Sequence, residues 1–113
     1  MGQGFSLSDN KLDTLYKGTA KKDASKSITQ DGWTITVTNL GTKPSGKHIL
    51  YSMTAKKNGR VVLTDNEFTL SARTSSNEGN DKANMRNDIN LLMNQITARG
   101  ESKKDGLPLN LKL

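Results

Sequence analysis

The most regular pattern along the chain lies at residues 33–40, WTITVTNL, where Trp33, Ile35 and Val37 alternate with Thr34, Thr36 and Thr38. A period of two puts the apolar set on one face of a half-buried strand and the threonines on the other. Gly41 to Gly46 reads as a turn, and HILYSMTAKK at 48–57 repeats the alternation, with Ile49, Tyr51, Met53 and Ala55 on one parity. Asn58-Gly59 is a hairpin signal, because a two-residue turn of this kind needs positive φ at both central positions. A third strand runs from Arg60 to about Arg73. Val62, Thr64, Phe68, Leu70 and Ala72 share one parity; Val61, Leu63, Glu67, Thr69, Ser71 and Arg73 share the other. Residues 33–73 thus predict an antiparallel meander.

The period then changes. After a loop at 75–79, Met85, Ile89, Leu92, Met93 and Ile96 fall on one stripe of an amphipathic helix spanning 80–99, with Asn80 or Asp81 as N-cap. Ahead of the meander, FSLSDNKLDTLY at 5–16 reads as a small hairpin turning at Asp9-Asn10. Lys17 to Ser27 reads as a polar loop, or at most a short polar strand. In the tail, 100–113, Leu107, Leu109, Leu111 and Leu113 alternate with other residues, which suits an extended arm. The expected architecture is a single α+β domain over 1–113: hairpin and polar loop at 1–27, meander, one long C-terminal helix, tail.

A helix of about 20 residues is roughly 30 Å long and covers only part of such a sheet. The apolar face therefore calls for cover from a second copy. The reading is a homodimer, with Met85, Ile89, Leu92, Met93 and Ile96 at its interface.

Charge adds a direction. The formal net charge is +6, and residues 1–59 hold nine basic side chains against four acidic ones, while 60–113 hold eight against seven. The basic half fits a polyanion-facing surface, and it fits solubility alone. No apolar run is long enough to span a bilayer, so no membrane partner is expected, and the first residues lack the pattern of a signal peptide.

The chemistry of catalysis finds little support. Without cysteine there is no disulfide, thiolate metal site or cysteine nucleophile, and His48 stands without a second histidine. The acidic residues have no metal-ligand spacing, and neither Gly2-Gln3-Gly4 nor Gly41 to Gly46 is a phosphate-binding fingerprint. The reading is of a non-enzyme with no cofactor, no metal and no small-molecule substrate. What remains is the polar sheet face, with Thr34, Thr36, Thr38, Ser52, Thr54, Lys56, Thr69, Ser71 and Arg73 as candidate RNA-binding residues. Hydroxyls and cations on a rigid sheet suit phosphates and unpaired bases, although threonine also favours an ordinary solvated strand. Trp33 and Tyr51 share the apolar parity and belong to the core.

In element order and lengths the chain resembles the coat proteins of single-stranded RNA bacteriophages. The resemblance rests on FSLSDNKLDTLY as hairpin, on GWTITVTNL, KHILYSMTAKK and RVVLTDNEFTLSART as long strands, and on NDKANMRNDINLLMNQITA as helix. The chain departs in its short Asn58-Gly59 connection and in its leucine-alternating tail. The resemblance implies dimers whose helices cover the partner's sheet, assembly into an icosahedral shell, and genomic RNA on the opposite sheet face, including a translational-operator stem-loop. It also implies a location in the virion, and in the bacterial host cytoplasm during assembly. The alternatives are a small dimeric basic nucleic-acid-binding regulator and a phage-encoded protein-interaction module.

Overall fold

The computed structural model describes residues 5–44, 46–71 and 78–99. Its elements are α1 (Asp9–Gly18), β1 (Ser25–Gln30), β2 (Trp33–Thr42), β3 (His48–Lys57), β4 (Arg60–Ser71) and α2 (Glu78–Arg99). The strands form one antiparallel sheet in the order β1-β2-β3-β4, so the fold is α+β with a sequential meander. Two-residue turns join β1 to β2 and β3 to β4. Asp31 and Gly32 have φ of 54° and 84°, and Asn58 and Gly59 have 51° and 86°, the positive pair that such turns require.

Several expectations need correcting. Residues 9–18 form a helix, not the turn and return strand of a hairpin. Ser8 caps it by accepting a bond from the Lys11 amide at 3.4 Å, Asp9 lies in the first turn and Lys17 in the last. Leu12, Leu15 and Tyr16 are the buried side chains, at the spacing of one helical face. Only Phe5 and Leu7 keep the period of two, as an extended segment docked on α2. The Phe5 amide donates to Asn94 Oδ1, the Asn94 amide returns a bond to the Phe5 carbonyl at 3.1 Å, and the Leu7 amide donates to Asn90 Oδ1 at 2.9 Å.

Second, of the loop or short polar strand read over 17–27, the strand is realised, and it runs from 25 to 30. Ser25, Ser27 and Thr29 alternate with Lys26 and Ile28, and β1 pairs in register with β2 from Ser25↔Thr38 to Gln30↔Trp33. Third, β4 does not keep one parity. It pairs Met53↔Asn66, Ala55↔Leu63 and Lys56↔Val61, so two register shifts insert extra residues, and Asp65 takes φ 46°. Val62 and Leu63 are consequently both buried, although they are neighbours.

The core lies between one sheet face and the two helices. Trp33, Ile35, Val37, Ile49, Tyr51, Met53, Ala55 and Leu70 face α1 and α2, with α1 packed along β1 and α2 along β4. Tyr51 stacks on Phe68 with ring centroids 5.5 Å apart. Met85, Ile89, Leu92, Met93 and Ile96 are all buried within the single chain. The argument that this stripe needs a second subunit is therefore overturned: it counted one helix, and α1 supplies the missing cover. α2 begins at Glu78, ahead of the expected N-cap at Asn80 or Asp81. Asp81 lies buried in its first turn and accepts a bond from the Ser71 hydroxyl. The helices are further tied by Lys82 to Asp13 at 2.8 Å and by Arg86 to Asp9, while Lys17 pairs with Asp13 at 3.1 Å within α1. The leucine tail and Arg73 lie outside the described residues.

Candidate nucleic-acid interface on the open sheet face

The sheet face away from the helices is built by register. Thr34 stands beside Lys56, Thr36 beside Thr54 and Thr38 beside Ser52 across β2 and β3. β1 adds Thr29 beside Thr34, Ser27 beside Thr36 and Ser25 beside Thr38. Three rows thus run across three strands, two of them all hydroxyls and one passing from two threonines to Lys56. The pairs Ser25–Thr38 and Ser27–Thr36 are hydrogen-bonded, with oxygens 2.6 Å apart in each. A hydroxyl engaged on one side keeps donor or acceptor capacity for a ligand on the other.

Thr54 holds the β4 bulge. Its Oγ1 donates to Asp65 Oδ1 and accepts from the Asp65 amide, both at 3.2 Å. The side chain thereby replaces ladder bonds that the extra residue breaks. On the β4 side of the face stand Glu67, opposite Ser52, and Thr69, opposite Leu50. Asp65 and Glu67 are exposed, so negative charge collects along β4 and the hydroxyl rows of β1–β3 are the part that an anion can approach.

The residues singled out from sequence divide accordingly. Thr34, Thr36, Thr38, Ser52, Thr54 and Lys56 share one continuous surface. Thr69 is on the same face but beyond the carboxylates. Ser71 is drawn to helix α2 through Asp81 and is not presented on the open face. Ser25, Ser27 and Thr29 were not among the candidates, yet they complete every row. Their own serine–serine–threonine alternation was the available signal, muted because Ile28 is the only apolar residue of the strand.

Chemically the surface offers hydroxyl donors and acceptors and the exposed ammonium of Lys56. Among the described residues no group of His, Asp and Glu side chains could hold a metal ion, and no helix is long and apolar enough to cross a membrane. No protein-family model, curated protein or solved structure matches the chain.

Proposed function

We propose that the chain is an RNA-binding coat subunit of the RNA-bacteriophage kind, receiving single-stranded RNA on the open face of its sheet. The observation that carries the reading is that face itself: three aligned rows of serine and threonine hydroxyls, one of them ending in Lys56, on a sheet whose other side is sealed by helices. Hydroxyls and backbone-rigid strands suit splayed bases and sugar hydroxyls, and the net charge of +6 favours a polyanion. The sequential antiparallel strands followed by a long helix agree with the resemblance. The N-terminal helix α1 departs from it. Subunit association in this reading uses surfaces other than the α2 stripe, such as the outer edge of β4, which pairs with no strand among the described residues.

A second reading has a specific observation behind it. The apolar stripe of α2 is satisfied within one chain, which suits a basic single-stranded nucleic-acid-binding regulator that forms no shell. Electron microscopy of the purified protein together with its absorbance at 260 nm separates the two. Uniform shells rich in nucleic acid support the coat subunit. Small particles that bind RNA when it is added favour the regulator, and protein that neither assembles nor binds RNA removes both.

A further inference from the structure

Four of the nine cations that the sequence spreads over residues 1–59 are gathered by the fold at one end of the sheet. The loop between α1 and β1 is pinned to the end of β2 by a buried asparagine. Asn39 donates through its backbone amide to the Ala24 carbonyl at 2.9 Å and through its side-chain amide to the Thr19 carbonyl at 3.0 Å. Its own carbonyl accepts from the Asp23 amide at 2.7 Å. Asn39 Oδ1 also accepts from the Gly41 amide at 2.8 Å within β2, so the buried residue's other polar groups hold loop to strand and this one shapes the strand end.

Gly41 completes the arrangement. It takes φ 105°, and the stem of Lys22 lies where its side chain would be, with Lys22 Cε 3.1 Å from the position of a Cβ. A glycine is required here both for the backbone and for the close approach of the lysine. Gly41 pairs with Leu50 of the open face, and two residues on, Lys43 donates its amide to the His48 carbonyl at 2.8 Å. Lys21, Lys22 and Lys43, with Lys47 beside them, are thus brought to the end of the sheet where β2 leaves and β3 begins. All are exposed. Among the described residues no carboxylate lies within ion-pair distance of Lys21, Lys22 or Lys43, whereas Lys17 and Lys82 are both paired with Asp13. Asp23 is the one acidic residue of the loop, and Asp65 and Glu67 stand along β4.

We infer that this sheet end, with Lys21, Lys22 and Lys43 as its cations, is a phosphate-docking surface that anchors the backbone of an RNA strand whose bases cross the hydroxyl rows. The inference rests on the RNA-binding reading above and adds to it a fixed entry point. Lys56, at the other end of the rows, then contacts phosphate as a single outlying cation. Charge at the loop end positions the strand without reading its sequence, and the hydroxyl rows supply discrimination.

The test compares three forms of the full chain by filter binding to a uridine homopolymer and to a hairpin RNA across a salt series. They are the parent protein, the variant Lys21→Gln/Lys22→Gln/Lys43→Gln, and a control of equal charge, Lys11→Gln/Lys103→Gln/Lys104→Gln. Each phosphate contact to a single strand contributes about 0.7 to the slope of log affinity against log salt, so losing the three contacts should flatten the slope by about 2. The ratio of hairpin to homopolymer affinity should hold, the control should flatten it by less than half as much, and arginine at the three positions should restore the parent slope. Circular dichroism of each variant establishes that it folds. Equal flattening in test and control, or an unchanged slope while the parent binds RNA, overturns this docking surface and leaves the RNA-binding reading standing. A parent protein that binds neither RNA at any salt overturns both. Retention of polyglutamate in place of RNA would assign the lysines to an acidic protein partner and overturn the inference as well.

Discussion

At the scale of single residues, Thr54 serves structure and surface together. Its hydroxyl bonds the β4 bulge from β3, so Thr54→Val removes the partner of the Asp65 amide. The site is open to water, and the expected cost is about 1 kcal/mol, read as a lower urea midpoint. Unchanged stability would mean that the bulge holds itself. Lys56 is simpler. Lys56→Ala should flatten the salt dependence of RNA binding by about 0.7 and weaken binding to all RNAs alike, by filter binding.

Two aspartates on the helices respond to pH in opposite senses. Asp13 is held below the usual carboxylate range by its hydrogen bonds to Lys82 and Lys17. Its contribution is therefore present above the titration range of an unfolded carboxylate and is lost as the pH falls through its folded value. Asp88 is raised by the desolvation of its half-buried carboxyl. The sign reverses: folding is favoured while it is protonated, and that advantage is lost as the pH rises through its folded value. Asp88→Asn should accordingly raise the melting temperature at neutral pH, and Asp13→Asn should lower it. As the pH falls, the Asp88 difference should fade first, above the usual carboxylate range, and the Asp13 difference only below that range. Calorimetry of the two variants across that range checks the signs.

At the scale of elements, the hairpins and the docked N-terminal segment are the parts most open to test. Gly59 holds φ 86° with nothing near its missing side chain, so the obstacle to substitution there is backbone conformation and not space. Gly59→Val should cost about 1–3 kcal/mol in a thermal melt. Asn94 is different in kind. Its amide acts as one rung of a strand ladder, bonding both backbone groups of Phe5 to α2. Asn94→Ala leaves those groups unpaired in a part-buried setting, an expected loss of about 1–3 kcal/mol with faster amide exchange at Phe5. Protection unchanged at Phe5 would show that burial of its ring alone holds the segment.

At the scale of the whole molecule, the closure of the core by both helices changes what a mutation in α2 means. Leu92 is buried within one chain, so Leu92→Asp places an unpaired charge in the core itself. The expected outcome is loss of folded monomer, seen as loss of the circular dichroism melt. A folded variant altered only in sedimentation would instead place Leu92 between subunits. The charge distribution is also a property of the whole: an acidic edge at β4, paired ions between α1 and α2, and exposed lysines at the end of the sheet nearest the α1–β1 loop.

The sequence by itself determined the central strands, the long helix and the α+β class. Their signals are periodic over many residues, and burial of one face enforces the same period. Thr34, Thr36, Thr38, Ser52, Thr54 and Lys56 could be placed on one face for that reason. The sequence did not decide residues 9–18. Leu12, Leu15 and Tyr16 fit a helix, yet Asp9-Asn10 also reads as a turn, and the choice fell to the Ser8 cap and to contacts with β1 and α2, far away in the chain. β1 was left open between loop and short strand because a polar edge strand has little apolar period to display. The parity of β4 broke where the bulges answer the shape of the core and not the local sequence, which is how Leu63 came to be buried. The lysine cluster is wholly tertiary: Lys22 reaches the sheet end that carries Lys43 because Asn39 and Gly41 fasten a loop to a strand end, and register and close approach of that kind leave no periodic trace in a sequence.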